Sequence, residues 1–125
     1  MTRKKIMLID DSPSMLDVLS TLLSLEGFEV SQHPLSGDLL EPIRQQQPDA
    51  LLLDVHLKSP EGREIDGLEL LKQLRADPRL AHIKVVLSSG LDYRREGDAQ
   101  GADAFVHKPY MPDTLIQTLK QVLAP

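Results

Sequence analysis

The chain has 125 residues, of which 41 % are apolar and 26 % charged, and this length and composition are typical of one globular domain, expected to span residues 1–125. The net charge of −5 argues against direct binding of nucleic acid, and the lack of cysteine excludes disulfides, thiolate nucleophiles and zinc–thiolate sites. Because no apolar run approaches the length of a membrane span and the N-terminus lacks a signal-peptide pattern, we expect a cytoplasmic protein with no membrane attachment.

The first half of the chain alternates between strand and helix patterns. The apolar run KIMLID predicts a strand buried on both faces, and FEVSQ and DALLLD predict two more. Between the first two lies PSMLDVLSTLLSLEG, which predicts a helix with Ser12 as its cap, Pro13 in its first turn and Gly27 at its end. The side chains at the inward spacing of this helix are Met15, Val18, Leu19 and Leu22. The next segment, SGDLLEPIRQQQ, is a poor helix, because Pro42 would kink it or delay its start.

The second half of the chain continues this alternation. GLELLKQLRAD predicts a third helix, IKVVLSSG a fourth strand and DAFVHKP a fifth. The last segment, MPDTLIQTLKQVL, predicts an amphipathic helix. Its expected buried face consists of Met111, Leu115, Leu119 and Val122. Strands that alternate with helices in this way favour an α/β protein whose parallel sheet is covered by helices on both faces.

Polar side chains stand at the carboxyl ends of four of these strands. The first strand is followed by Asp10 and Asp11, and the third, fourth and fifth end in Asp54, Ser89 and Lys108. Because the carboxyl ends of parallel strands meet at one edge of a sheet, we expect these five residues to converge there. Adjacent carboxylates repel one another and resist burial, and Mg²⁺ prefers oxygen ligands of this kind. The pattern therefore predicts a magnesium site at this edge.

Four motifs, LIDDSP, LLLDV, VVLSSG and GADAFVHKP, occur in the order and near the spacing that they have in a known family. Through them the sequence resembles the CheY-like receiver domains of bacterial two-component response regulators over essentially its whole length. Each motif alone is weak evidence, whereas the ordered set on alternating strands and helices is specific. The resemblance implies a three-layer, flavodoxin-like fold with a parallel sheet of five strands in the order 2-1-3-4-5.

The same resemblance implies a role for each residue of the acidic edge. Asp54 is expected to be the phosphoacceptor and a ligand of Mg²⁺. Asp11 would bind the metal directly and Asp10 largely through water, and the backbone carbonyl of His56 would be the third protein ligand. Lys108 would pair with the phosphoryl oxygens.

Further positions belong to the implied switch. Ser89 would hydrogen-bond the phosphoryl group, and we prefer it to Ser88 because the small residue Gly90 then takes the neighbouring position. A cis peptide bond would precede Pro109. Phe105 stands where the family has its aromatic switch residue, and it would turn inward when Ser89 moves toward the phosphoryl group.

The function implied is that of a phosphorelay receiver. Such a domain accepts a phosphoryl group from a sensor histidine kinase or a histidine phosphotransfer protein and then changes a surface that binds a downstream protein target. Its only catalysis would be its own phosphoryl transfer and dephosphorylation, which need little beyond positioning and charge neutralisation.

Two segments depart from the family pattern. VHLKSPEGREI, within the loop 55–66, is longer than the corresponding family loop and rich in charge, and we expect it to be a flexible flap. The stretch between Ser89 and Gly101 is shorter, and Gly97 lowers its helix propensity, so the fourth helix should be short or irregular. Because a short fourth helix disfavours the symmetric dimer of many relatives, we expect a monomer.

Two other functions fit parts of the pattern. A phosphatase of the haloacid-dehalogenase type also uses an aspartate nucleophile with Mg²⁺, but it needs a second aspartate two residues later. That position holds His56 after Asp54 and Ser12 after Asp10, which disfavours this alternative. A receiver-like module that binds partners without being phosphorylated stays open.

Overall fold

Residues 3–124 are described by a computed structural model, and within them the chain forms seven strands and five helices. The strands are β1 (Lys5–Ile9), β2 (Glu29–Gln32), β3 (Ala50–Asp54), β4 (His56–Lys58), β5 (Glu64–Asp66), β6 (Lys84–Ser89) and β7 (Ala104–His107). The helices are α1 (Pro13–Leu25), α2 (Glu41–Gln46), α3 (Gly67–Ala76), α4 (Arg94–Gln100) and α5 (Pro112–Leu123). Across residues 3–124, none of the helices is both long and apolar enough to cross a membrane.

The main sheet contains five parallel strands in the order β2-β1-β3-β6-β7. This arrangement confirms the predicted order, since β6 and β7 are the fourth and fifth strands of the sequence pattern. The central strand β3 places Leu52 beside Leu8 on one side and Val86 on the other. Every residue of β3 is buried, as expected of a strand that helices cover on both faces.

Alternate residues of the central strands divide the core into two layers. Ile6 and Leu8 of β1 face the layer that helices α1 and α5 cover. Met7 and Ile9 face the opposite layer, which is covered by α2 and α3, with α4 packed beside α3. The fold is therefore the three-layer, flavodoxin-like arrangement that the family resemblance implied.

Local signals set the ends of α1 as predicted. The Ser12 hydroxyl accepts a hydrogen bond from the Met15 amide at 3.4 Å, and Pro13 occupies the first turn. Gly27, just beyond the helix, has a φ of 93°, a left-handed conformation that costs glycine little. Helix α1 therefore begins only a few residues after the end of β1, and Asp10 and Asp11 lie in the short loop between them.

Helices α2 and α4, which the sequence predicted to be poorly formed or short, agree with that prediction. Helix α2 starts late, at Glu41, with Pro42 in its first turn. Helix α4 has only seven residues. Gly97 within it is buried, and a Cβ at that position would lie 2.7 Å from Cδ1 of Leu87, so glycine lets this short helix approach the sheet closely.

Two residues expected in the core lie on the surface instead. Val18 is 52 % exposed, because it lies at the edge of the apolar stripe of α1, whose buried side chains are Leu19 and Leu23. Met111 is 69 % exposed, because it caps the start of α5 and precedes the first buried residue of that helix, Leu115.

The loop expected to be a flexible flap contains a two-stranded hairpin. Strand β4 pairs antiparallel with β5 and places Leu57 opposite Ile65. Both side chains are buried in the core layer beneath α3, with exposures of 3 % and 7 %. The expected flap is therefore a paired hairpin, because two apolar residues that face each other across it anchor a segment whose composition is otherwise polar, and its flexibility stays a prediction.

Arg75, in the last turn of α3, ties together the edge of the sheet opposite the acidic residues. Its guanidinium donates hydrogen bonds of 2.7–3.1 Å to the carbonyls of Ala81, Ile83 and Gly101 and to the carboxylate of Asp103. One side chain therefore joins α3 to the segments that lead into β6 and β7.

Candidate functional site

The carboxyl end of the sheet brings together the three aspartates that the sequence analysis identified. Asp10 and Asp11 follow β1, and Asp54 is the last residue of β3. One carboxylate oxygen from each lies within 4.8 Å of the other two. Asp10 and Asp54 are buried, with exposures of 3 % and 7 %, whereas Asp11 is exposed. The fold therefore builds an acidic cluster with one open side.

Lys108, just after β7, contacts two of these carboxylates. Its Nζ lies 2.9 Å from Oδ2 of Asp54 and 3.2 Å from Oδ2 of Asp10. The cluster thus combines one ammonium group with three carboxyl groups. The remaining negative charge favours a further cation in the cluster.

Burial and charge shift the pKa values in this cluster. Burial raises the pKa of Asp54, and the hydrogen bond and positive charge of Lys108 oppose the rise. Burial alone would lower the pKa of Lys108, but its hydrogen bonds and attraction to Asp54 and Asp10 raise it overall. Burial also raises the pKa of Tyr110, on the same loop, to about 12. Lys108 therefore remains a cation and Tyr110 a neutral phenol at physiological pH.

The two serines at the end of β6 make different contacts. The Ser88 hydroxyl lies 3.4 Å from Oδ1 of Asp54, because the pairing of β3 with β6 places these residues opposite each other. The Ser89 hydroxyl accepts a hydrogen bond from the amide of Leu91 at 3.1 Å, in the turn after the strand. Our sequence analysis preferred Ser89 to Ser88 and missed the contact of Ser88 with Asp54. The predicted hydrogen bond from Ser89 to a phosphoryl group stays a prediction.

The β4–β5 hairpin reaches the cluster through its backbone. The amide of Lys58 donates a hydrogen bond of 2.7 Å to Oδ2 of Asp11. The ring of His56 turns away, and its Nε2 lies 3.1 Å from the Tyr93 hydroxyl in the segment before α4. The sequence analysis named the carbonyl of His56 but missed both of these contacts. The direction of the Lys58 amide depends on strand pairing, and residue type carries no signal for it.

Gly67 allows α3 to start directly against the backbone of Asp54. Its amide donates to the carbonyl of Val55 at 2.8 Å. A Cβ at this position would overlap the carbonyl oxygen of Asp54 and would lie 2.9 Å from Cα of Val55. The preceding residue, Asp66, caps α3 by accepting a hydrogen bond of 2.9 Å from the Leu68 amide. The pair Asp66 and Gly67 thus supports the strand end that carries Asp54.

The remaining residues of the predicted site lie around the cluster. The peptide bond between Lys108 and Pro109 is cis, as the family resemblance implied. Gly90 is exposed, and a Cβ there would meet no atom within 4 Å. Phe105 on β7 is partly buried against the core layer beneath α3, with its ring centroid 6.5 Å from that of His107.

Comparison with known protein families decides what kind of domain this is. The model of the response regulator receiver domain matches residues 6–120, from the second residue of β1 to the last turn of α5. The chain belongs to the response regulator receiver family. Receivers are signalling domains rather than metabolic enzymes, and response regulators interact with histidine kinases and downstream targets.

Individual relatives resemble this receiver over nearly its whole length. Protein PilH of Pseudomonas aeruginosa is 29 % identical over 123 residues, which cover 96 % of this chain and 98 % of PilH. The crystal structure of a putative response regulator from Chloroflexus aurantiacus has a TM-score of 0.86 and 28 % identity, and the match covers 99 % of this chain and 100 % of that one. The chemotaxis protein CheY4 of Vibrio cholerae gives a TM-score of 0.82 and 26 % identity, with 98 % and 100 % coverage.

Proposed function

We propose that this receiver accepts a phosphoryl group on Asp54 from a sensor histidine kinase or a histidine phosphotransfer protein, in a reaction that requires Mg²⁺. The observation that carries the proposal is the surroundings of Asp54. Its carboxylate is buried at a strand end, within 4.8 Å of two other carboxylates and 2.9 Å from the ammonium of Lys108. A nucleophile, a cation and ligands for a metal are thus gathered at one place.

The transfer would be a displacement at phosphorus. An oxygen of Asp54 would form a bond to the phosphorus of phosphohistidine while the P–N bond breaks, and that electron pair would return to the imidazole. The product is an aspartyl phosphate, whose phosphoryl group carries a charge of about −1.5 to −2 and replaces the single negative charge of the Asp54 carboxylate. Lys108 would offset part of this charge through the contact it already makes. The domain would catalyse this transfer and its own later dephosphorylation.

Bound Mg²⁺ would neutralise charge on the phosphoryl oxygens during the transfer. The contacts of the three aspartates fit different roles toward this metal. Asp10 accepts hydrogen bonds from the Ser12 amide at 2.9 Å and from Lys108 at 3.2 Å, and it would hold the metal largely through water. Asp11 and Asp54 would be the direct carboxylate ligands.

The hairpin supports the carbonyl of His56 as the third protein ligand. Antiparallel strands alternate between hydrogen-bonded and non-hydrogen-bonded pairs. The backbone bonds from Gly67 to Val55 and from Ser59 to Arg63 fix this alternation in the β4–β5 hairpin. His56 then falls on a non-hydrogen-bonded pair, so its carbonyl points away from β5, to the edge on which the acidic cluster lies.

We propose that the output is a change in a protein-binding surface. Movement of Ser89 toward the phosphoryl group would vacate space beneath the loop after β6, and Phe105 would turn inward to fill it. The surface formed by α4, β7 and α5 would then bind a downstream protein target. The domain would act as a monomeric single receiver of residues 1–125 in the cytoplasm, without direct contact to nucleic acid or membrane.

Phosphorylation of purified protein tests the acceptor. Wild type should gain the mass of one phosphoryl group when it is incubated with acetyl phosphate and Mg²⁺, and hydroxylamine should remove it, since an acyl phosphate is labile to that reagent. Asp54→Asn should stay unmodified, while the control Asp17→Asn, at an exposed position on α1, should be labelled like wild type. Undiminished labelling of Asp54→Asn would place the acceptor elsewhere, and unlabelled wild type would favour a passive binding module.

A further inference from the structure

We propose that the β4–β5 hairpin positions Asp11 for the metal through the backbone amide of Lys58. The inference rests on the proposed function, because it concerns the Mg²⁺ site of that function. The Lys58 amide lies 2.7 Å from Oδ2 of Asp11, at the short end of the range for such a bond. The contact joins the loop after β1 to a hairpin that is distant in sequence.

The amide of Lys58 is free to make this bond because it takes no part in the hydrogen bonds between β4 and β5. Lys58 stands opposite Glu64 in a non-hydrogen-bonded pair, two residues along from the pair of His56 with Asp66. Residues two apart on one strand direct their backbone groups to the same side. The carbonyl of His56 and the amide of Lys58 therefore face the same edge, so one strand edge can offer both a ligand and a donor that holds another ligand.

The hairpin is fixed well enough to act as a template. Its apolar pair, Leu57 and Ile65, is buried in the core layer beneath α3. Its far end is closed by the backbone bond from Ser59 to Arg63 at 2.8 Å. A donor on a strand anchored in this way can hold the Asp11 side chain at a defined place.

Asp11 needs such a partner more than the other two aspartates. It is the exposed member of the cluster, and among residues 3–124 the Lys58 amide is the protein donor that its carboxylate meets. A bond to Oδ2 fixes the side-chain rotamer and leaves Oδ1 for the cation. Hydrogen bonds that orient a metal ligand in this way are typically worth about 10- to 100-fold in metal affinity.

The test compares two substitutions at Lys58. Lys58→Pro removes the amide donor, and because that amide lies outside the hairpin ladder, the proline removes no strand-pairing bond. Lys58→Ala retains the amide and removes only the exposed side chain. Calorimetric titration with Mg²⁺ should give an affinity about 10-fold weaker for Lys58→Pro than for Lys58→Ala, which should bind like wild type within about twofold.

A second measurement on wild type keeps the test decisive if Lys58→Pro fails to fold. The Lys58 amide proton, followed by NMR, should exchange slowly with solvent both without and with saturating Mg²⁺, and Asp11→Ala should make it exchange faster. Loss of this protection when Mg²⁺ is added to wild type would show that metal and hairpin compete for Asp11, which overturns the inference.

The outcomes separate this inference from the proposed function. Equal Mg²⁺ affinity of Lys58→Pro and Lys58→Ala, beside normal binding by wild type, would overturn the positioning role and leave the receiver mechanism standing. Absence of Mg²⁺ binding by wild type itself would overturn the proposed function together with the inference.

Discussion

The hydroxyl of Ser88 lies 3.4 Å from Oδ1 of Asp54, whereas Lys108 contacts Oδ2 of the same carboxylate at 2.9 Å. Both oxygens of the proposed nucleophile therefore have a donor nearby before any phosphoryl group arrives. The Ser88 contact is long, and it is made from the strand itself. Ser89, one residue further, is held by the Leu91 amide and would have to give up that bond to approach the site.

This arrangement predicts that the two serines differ in their response to a phosphoryl mimic. Beryllofluoride binding to Asp54 should weaken about 10-fold in Ser89→Ala, because a hydrogen bond to a charged group is lost, worth about 1.5 kcal/mol. Ser88→Ala should weaken it less, since its contact is long in the free protein. Titration followed by NMR measures both affinities, and Ser89→Thr, which retains a hydroxyl, should rescue binding. A larger loss in Ser88→Ala would assign the phosphoryl contact to Ser88.

The proposed route from the site to the surface predicts where the protein changes. Beryllofluoride should shift NMR signals in the loops around Asp54 and also near Tyr93 and Tyr110, because Phe105 couples these regions through a change in packing. In Phe105→Ala the distant shifts should shrink while those around Asp54 remain. Shifts confined to the site in wild type would exclude this route. Sedimentation of the same samples should show a monomer in both states, and a dimer formed only on activation would contradict that expectation.

Gly67 provides a prediction about stability. Gly67→Ala should lower the free energy of unfolding by about 1–3 kcal/mol, since the added Cβ would overlap the carbonyl of Asp54 and force the backbone to shift. Gly90→Ala is the matched control, because a Cβ there meets no atom within 4 Å. Urea denaturation measures both variants. A similar small effect at the two positions would show that α3 adjusts without disturbing the strand end.

His33 provides a prediction about pH. Burial lowers the pKa of His33 below its usual 6.5, and the hydrogen bond to the carbonyl of Leu39 opposes this shift. Nε2 lies 2.7 Å from that carbonyl and Nδ1 accepts from the Leu35 amide at 2.9 Å, so the neutral ring satisfies both partners. Because the folded state disfavours the cation, stability from this group is complete above pH 6.5 and declines as pH falls through the lower, folded-state pKa.

This expectation is tested by measuring denaturation midpoints at successive pH values between about 8 and 5. That range extends about one to two units on either side of the ordinary histidine pKa. His33→Asn can still accept from the Leu35 amide but does not titrate in this range, so the part of the decline that comes from His33 should disappear. An equally steep decline in wild type and His33→Asn would assign the pH dependence to other groups.

Much of this fold could be predicted from residue patterns because it depends on local signals. Ser12, Pro13 and Gly27 set the limits of α1, and Pro42 delays α2, each through backbone preferences that act within a few residues. The positions of Asp10, Asp54 and Lys108 followed from the rule that parallel strands end at one edge. These inferences needed no knowledge of pairing register.

The features that could not be predicted depend on register or on rotation about an axis. Ser88 rather than Ser89 meets Asp54 because of how β6 pairs with β3. The contact from Lys58 to Asp11 depends on which residues of the β4–β5 hairpin form hydrogen-bonded pairs. Composition alone suggested that this segment was a flexible loop. Val18 was wrongly predicted to be buried because the predicted apolar face of α1 was slightly too wide on one side. Each error concerns the direction in which a side chain or a backbone group points, and residue type does not encode that direction.

The guanidinium of Arg75 has a consequence for how the domain comes apart. Its three nitrogens make four hydrogen bonds, to residues 6, 8, 26 and 28 positions further along the chain. Partial unfolding of α4 and β7 alone would strand these donors and the acceptors that they satisfy. The end of α3 and the segments that lead into β6 and β7 should therefore lose amide protection together, as one cooperative unit.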